Sequence, residues 1–441
     1  MAFTIKAVSN DGDWSPLSLN VNQPESNVFS LIVGRNATGK SRLLRKIVSH
    51  YIFDQDERDL EQEGIAPQLA YSLAGSREMR LAPSSSSSPA RVIAVSTGRH
   101  DRFPRPRQST STTDNYHYIA PSEHGGPSSL TRSLTSIIGG LERTNSKYSD
   151  LRDILKYLDF EPVIDFKVSI DPKFRSFVSD ASEPQSKIHW REVEFDHKVK
   201  LTRNYRNLER LHHILTYISN RKGINCEIDL KYGIRTHAEL SPFELIEGLD
   251  AGALRVSDLT LYTRSTKSKI KLSQASSGQQ CMLTMILGIA GSIQDNSLIC
   301  IDEPEISLHP EWQTDIIGQL QRAFNGYTGC HFIIATHSPQ IVAGLTIENG
   351  FVLDLEDRQL HRSEDYSNRS ADFQLAKIFN APGLNNEYLI RISLNLLTKL
   401  TRRQDLSPPD MEKLAMLFEI RDSLSPVDPV RHLVDQVLAL R

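Results

Sequence analysis

The sequence predicts an α/β fold: a mixed sheet with flanking helices, interrupted by a mainly helical insertion and followed by a helical C-terminal extension. Three observations carry this. A buried-strand run, Phe29-Ser30-Leu31-Ile32-Val33, passes through a glycine-bounded loop into a helix that holds Leu43 and Leu44. From Ser276 to Ile334 the pattern reads helix, buried strand, helix, buried strand, the alternation of a sheet with covering helices. The tail is helical and punctuated, with Asp428-Pro429 reading as an N-cap followed by proline at the first helical position, where the missing N–H costs nothing.

Taken in chain order, Phe3-Thr4-Ile5-Lys6-Ala7-Val8 and Leu17-Ser18-Leu19-Asn20-Val21 alternate as strands do, before the run at 29–33. Pro83, the serines at 84–88 and Pro89 make a surface loop, because such a stretch has no side chains to pack. Val92-Ile93-Ala94-Val95 is a short buried strand, and residues 105–127 read as a polar, flexible segment. Beyond them the pattern is mixed, with helical spacing at Leu208, Leu211, Leu215 and Ile218. Buried strands return at Leu298-Ile299-Cys300-Ile301, Phe332-Ile333-Ile334-Ala335 and Phe351-Val352-Leu353; the following Asp354-Leu355-Glu356-Asp357 reads as a solvated turn. The expected boundaries are a head in two parts, 1–125 and 259–365, an insertion at 126–258 and an extension at 366–441.

The bulk properties narrow the class. Of 441 residues, 39% are hydrophobic and 24% charged, with a formal net charge of −3. This reads as an ordinary globular chain without the global charge of a nucleic-acid binder. Cys226, Cys281, Cys300 and Cys330 show no C-x-x-C spacing, which argues against zinc or a disulfide framework. The N-terminus lacks a charged-then-apolar signal pattern and no apolar run approaches the roughly 18 residues of a membrane span. A cytoplasmic protein without a membrane partner is therefore expected.

The loop after residue 33 is Gly34-Arg35-Asn36-Ala37-Thr38-Gly39-Lys40-Ser41, the G-x-x-x-x-G-K-S pattern in its strand–loop–helix setting. Gly34 and Gly39 let backbone N–H groups turn inward around phosphates, and the helix from Lys40 aims its positive end at the same charge. Lys40 would reach the β- and γ-phosphate oxygens of ATP, and the Ser41 hydroxyl would ligate Mg²⁺. The strand at 298–301 ends in Asp302-Glu303-Pro304, at the sheet edge where nucleotides bind. Asp302 would hold Mg²⁺ through water, and Glu303 would act as general base toward the attacking water. The next strand ends in Thr336-His337-Ser338-Pro339, where His337 would sense the γ-phosphate. Ser276-Ser277-Gly278-Gln279-Gln280 precedes an apolar helix. That is a capped helix start and also an anion site.

These four motifs, in this order, resemble the Walker A, signature, Walker B and switch histidine of ABC-class ATPases. The resemblance implies ATP sandwiched between the Walker loops of one subunit and Ser276, Ser277, Gly278 and Gln279 of another, hence a homodimer or higher homo-oligomer. Ser277 and Ala37 stand where many members carry glycine. The run Asp302-Glu303-Pro304-Glu305-Ile306-Ser307-Leu308-His309-Pro310-Glu311-Trp312-Gln313, with Thr336-His337-Ser338-Pro339 and Asp101-Arg102-Phe103-Pro104, is similar to bacterial antiphage ATPases of the Septu and retron kind, the PtuA-type subunit, with the PARIS ATPase similar. It covers roughly residues 1–118 and 259–389. For these ATPases the resemblance implies a separately encoded nuclease partner, of HNH or TOPRIM type.

Two readings of a different class stay open: a nucleotide-held scaffold with negligible turnover, and a DNA-processing ATPase of the SMC kind. Against the latter, Lys40 and Asp302 lie 262 positions apart, yet the best amphipathic stretch, residues 204–219, is too short for a heptad arm. Residues 186–235 carry 11 Lys or Arg against 6 acids, which reads as a solvated face or as contact with nucleic acid or an acidic partner. Arg99, Arg102, Arg105 and Arg107 form a second basic run near the expected nucleotide.

Overall fold

The computed structural model describes residues 3–10, 13–19, 26–35, 37–62, 80–83, 88–98, 102–104, 115–120, 137, 149–174, 205–221, 223–236, 239–250, 253–356 and 358–440. The serines at 84–87, most of the polar segment at 105–127, three of the four arginines of the second basic run (99, 105 and 107) and Asn36 lie outside them.

Among the described residues, strands β1 (Ile5–Asn10), β2 (Asp13–Pro16), β3 (Val28–Val33), β4 (Arg80–Pro83), β5 (Val92–Ser96) and β6 (Tyr116–Ile119) come first. Then follow β7 (Phe160–Ile170), β8 (Ile224–Asp229), β9 (Gly233–Thr236), β10 (Leu254–Thr263), β11 (Lys269–Lys271), β12 (Leu298–Asp302), β13 (His331–Ala335), β14 (Gly350–Asp354) and β15 (Leu360–Arg362). The helices are α1 (Lys40–Gln62), α2 (Ser149–Tyr157), α3 (Tyr205–Ser219), α4 (Pro242–Asp250), α5 (Ser277–Ala290) and α6 (Pro310–Ala323), then α7 (Pro339–Ala343), α8 (Ser363–Tyr366), α9 (Ala371–Lys377), α10 (Glu387–Thr401), α11 (Pro408–Ile420) and α12 (Pro429–Ala439).

Seven strands form the large sheet in the order β15-β14-β3-β13-β12-β5-β6, parallel throughout except for β15. Its central strands are apolar on both faces because both faces are covered. Phe29, Leu31, Ile299, Ile301, Phe332 and Ile334 enter one core, while Ile32, Leu298, Cys300, Ile333 and Ala335 enter the core beside α1. Strand β6 lies within the segment read as flexible. Its Tyr116, Tyr118 and Ile119 are buried against β5, so pairing overrode a polar neighbourhood.

The insertion departs from the mainly helical expectation. Its described residues include α2, α3 and α4, but also most of a five-stranded antiparallel sheet, β11-β10-β7-β8-β9. Phe160, Ile164, Phe166, Val168 and Ile170 alternate along β7 and are buried on one face. That period of two is a strand's signature, and its partners Ile224 to Asp229 and Leu254 to Thr263 are distant in sequence. The boundary expected at 258 falls inside β10. Within the basic stretch the described cations have partners: Arg210 lies 3.8 Å from Glu247, Arg235 lies 3.5 Å from Glu227, and Arg221 stacks on Tyr217. Six of the eleven cations of that stretch, at 187, 191, 198, 200, 203 and 222, lie outside the described residues.

The extension is helical as expected, with its own core of Leu389, Leu396, Leu414, Leu417, Val430 and Val434. Asp428 caps α12, accepting from Val430 N at 3.0 Å. No helix of the described residues is long and apolar enough to cross a membrane.

A buried histidine ties the N-terminal sheet (β2-β1-β4) to the large one. His331, fully buried on β13, accepts from Ile5 N at Nδ1 (3.1 Å), and its Nε2 lies 2.8 Å from Ser30 Oγ, which donates to Leu17 O. The partners assign the neutral, Nε2-protonated tautomer. Burial pushes this imidazole down to about 3. Below the ordinary histidine range the unfolded chain takes up a proton that the folded chain refuses, so stability falls as pH drops from about 6.5 toward 3. Between pH 7 and 5 the wild type should lose about 2 kcal/mol more than His331→Gln in urea unfolding. Equal losses would remove His331 as the cause.

Candidate nucleotide site at the carboxyl edge of the large sheet

Strand register brings the functional ends together. Asp302 pairs with Ala335 and with Ser96, Ala335 with Ile32, and Asp354 with Val33. The carboxyl ends of β14, β3, β13, β12 and β5 therefore share one edge, and every predicted Walker or switch residue emerges from it.

The phosphate loop turns through positive φ at Gly34 (142°), Ala37 (68°) and Gly39 (99°). A Cβ at Gly34 would stand 3.0 Å from Thr38 Oγ1, so a side chain there would crowd the loop as well as strain its backbone. Ala37 takes the left-handed conformation that glycine would hold more easily, which is what the departure at this position costs. Thr38 Oγ1 closes the loop by donating to Arg35 O at 2.9 Å.

Lys40 is 4% exposed and donates to Gly34 O (2.7 Å), Arg35 O (3.0 Å) and His337 Nδ1 (3.1 Å). Burial holds its ammonium below the usual lysine range, against the opposing pull of Glu303, Glu305, Asp302 and Glu356. Because Lys40 can only donate, His337 carries its proton on Nε2 and donates to Glu303 Oε1 at 3.2 Å. Burial first, then the Lys40 charge, keep this imidazole below its ordinary range. The result is a continuous chain from Lys40 through His337 to Glu303.

This chain has a topological cause. Strand β13, which ends next to His337, lies between the phosphate-loop strand β3 and the carboxylate strand β12. The histidine can reach both neighbours only because its strand separates them.

Ser41 Oγ donates to Asp302 Oδ1 at 3.0 Å. A hydroxyl and a carboxylate side by side are hard oxygen donors that suit Mg²⁺. Among the described residues no group of three or more His, Cys, Asp or Glu could hold a metal ion. The start of α1, directly after the loop, suits nucleotide phosphates.

Glu303 itself sits at φ 51°, an uncommon backbone for a residue with a side chain. Its N–H donates to Ala335 O at 2.9 Å and its carbonyl accepts from Thr97 Oγ1. Thr97 follows β5 and was not legible as a site residue, since only sheet order places it beside β12.

Glu356 was also missed. Expected in a solvated turn, it accepts from Arg35 N at 3.0 Å, and Arg35 donates onward to Asn380 O at 3.1 Å. The last residue of that turn, Asp357, lies outside the described residues.

The signature residues stand apart. Ser276 is the N-cap of α5, accepting from Gln279 N at 3.2 Å, while Gln279 Oε1 accepts from Ser276 N at 3.1 Å. Ser276 and Ser277 are exposed, and Gly278 is buried where a Cβ would stand 2.9 Å from Ser307 O. Among the described residues the side-chain hydrogen bonds of residues 276–280 run to one another, to Leu158, Ser273 and Ala275, and not to the phosphate loop.

A family model described as "AAA domain, putative AbiEii toxin, Type IV TA system" matches residues 29–343, more than two thirds of the chain. The chain is 26% identical over 122 residues to the Retron Ec83 probable ATPase of Escherichia coli, covering 25% of this chain and 22% of the relative. It is 22% identical over 239 residues to the Retron Vc95 probable ATPase of Vibrio cholerae, covering 50% of this chain and 44% of the relative. The matches thus span less than half of those relatives' lengths. A solved structure, Stu0660 of Streptococcus thermophilus, aligns over the whole chain at 12% identity with a TM-score of 0.35.

Proposed function

The chain belongs to the family described as AAA domain, putative AbiEii toxin, Type IV TA system, and from that premise we propose that it binds and hydrolyses ATP to gate an oligomeric antiphage complex with a separately encoded nuclease. The observation that carries hydrolysis is the Lys40, His337 and Glu303 chain beside the Ser41 and Asp302 pair.

Lys40 binds the phosphate oxygens once they displace its carbonyl partners. Glu303 takes the proton of a water that attacks the γ-phosphorus, and ADP leaves with the electrons of the broken P–O bond. His337 orients Glu303 from one side while facing the phosphate-reading lysine from the other. Ser41 and Asp302 would hold Mg²⁺, which when bound draws charge from the β- and γ-phosphate oxygens. The exposed α5 N-terminus, with no hydrogen bond to its own phosphate loop among the described residues, supports a second half-site offered to a neighbouring copy. The nuclease partner and the defence role are supported by the motif resemblance and by relatives named as retron probable ATPases.

The purified chain should release phosphate from ATP with Mg²⁺, and should leave plasmid DNA uncut until the product of a neighbouring nuclease gene is added. Cleavage that tracks this chain through a final column overturns the separate effector. ATP binding without turnover leaves a nucleotide-held scaffold in place of an ATPase, and stimulation of turnover by DNA favours a DNA-processing role.

A further inference from the structure

Two glutamates, two positions apart, hold the same histidine at opposite ends. Glu303 accepts from the ring at 3.2 Å, while Glu305 Oε1 accepts from the main-chain N of His337 at 2.5 Å. Strand pairing explains why the second contact exists. The extended ladder past β13 ends where Thr336 N donates to Ile32 O at 3.1 Å, so the next N–H, that of His337, emerges without a strand to pair with. A turn supplies the acceptor instead: Ile306 N donates to Glu303 O at 3.2 Å and Leu308 N to Glu305 O at 3.0 Å, folding Glu305 back toward the histidine.

The contact is made at a cost. Burying a carboxylate is disfavoured, and the His337 N–H, the N–H of Glu305 itself and the Thr336 hydroxyl offset part of that here. Desolvation pushes the carboxyl above the usual range, although the His337 N–H opposes this. The benefit lies in what His337 does: its ring must meet Lys40 on one side and Glu303 on the other, and its main chain sets where the ring stands.

We propose that Glu305 is a positioning residue, which anchors the His337 main chain so that the ring bridges Lys40 and Glu303. The inference rests on the hydrolysis reading above. It assigns Glu305 no proton transfer. Its acceptor oxygen carries this role.

That distinction is testable with three variants. Glu305→Gln keeps a carbonyl acceptor of the same reach, Glu305→Ala removes it, and Glu305→Asp shortens it. Glu305→Ala and Glu305→Asp should lower kcat for ATP by about 10–100-fold with KM within about threefold, as a misplaced catalytic group does. Glu305→Gln should stay within about threefold of wild type. The second readout is modification of His337 by diethyl pyrocarbonate, followed by peptide mass spectrometry. Its rate should rise at least about threefold in the Ala and Asp variants, and remain at the wild-type value in the Gln variant.

Wild-type kcat and wild-type His337 reactivity in Glu305→Ala would overturn the proposal, as would a Gln variant damaged as severely as Ala. If the Ala variant does not fold, Asp carries the same judgement: wild-type behaviour there overturns the proposal. If wild type shows no turnover above Glu303→Gln, the hydrolysis reading fails, and His337 reactivity still decides the role of Glu305.

Discussion

Replacing Glu303 with glutamine should reduce ATP turnover by about 10²–10⁴-fold while leaving ATP binding intact. The two side chains have the same shape, and the glutamine carbonyl still accepts from His337 Nε2, which now lies 3.2 Å from Glu303 Oε1. The backbone at φ 51° and its anchors, Ala335 O and Thr97 Oγ1, involve main-chain atoms and persist. Only the capacity to take a proton from water is lost. Phosphate release measures turnover, and titration with a fluorescent ATP analogue measures binding. Wild-type turnover in this variant would remove Glu303 from the role of base. Lys40→Ala should act differently and weaken binding itself, because the phosphates lose the buried ammonium.

Mixing two inactive variants, Lys40→Ala and Ser276→Arg, should restore activity if sites form between copies. A mixed dimer holds one composite site with both lesions and one with neither. Activity up to about half the wild-type value per mixed dimer is therefore expected if the sites act independently. Ser276 suits this test because it is an exposed N-cap. Its replacement costs about 1 kcal/mol of helix stability, and an arginine at the helix start obstructs an incoming phosphate. A crosslink between the loops around Ser276 and Lys40 covers the case in which both sites must fire together. If mixing and crosslinking both fail, and the ATP-bound protein sediments as a monomer, the shared site is wrong.

By itself, the sequence determined those features whose partners are near in the chain. The loop from Gly34 to Ser41 is one, since its glycines, its lysine and its helix start lie within eight positions. The caps at Ser276 and Asp428 are others, formed with residues two or three positions on. Apolar runs at β3, β12 and β13 announced strands buried on both faces. What no local pattern carried is which strand lies beside which. Only the tertiary structure decided that β13 separates β3 from β12 and so lets His337 touch both Lys40 and Glu303. The same order decided that Thr97 grips Glu303, and that Glu356, read from sequence as solvated, sits on the phosphate loop. In the insertion, the alternation along β7 was present in the residues, but both its strand partners, β8 and β10, lie far downstream in the chain. The physical reason is common to all of these. Capping and loop conformation are settled by a few neighbouring dihedrals, whereas strand order is settled by which apolar faces can be covered together, a property of the whole chain.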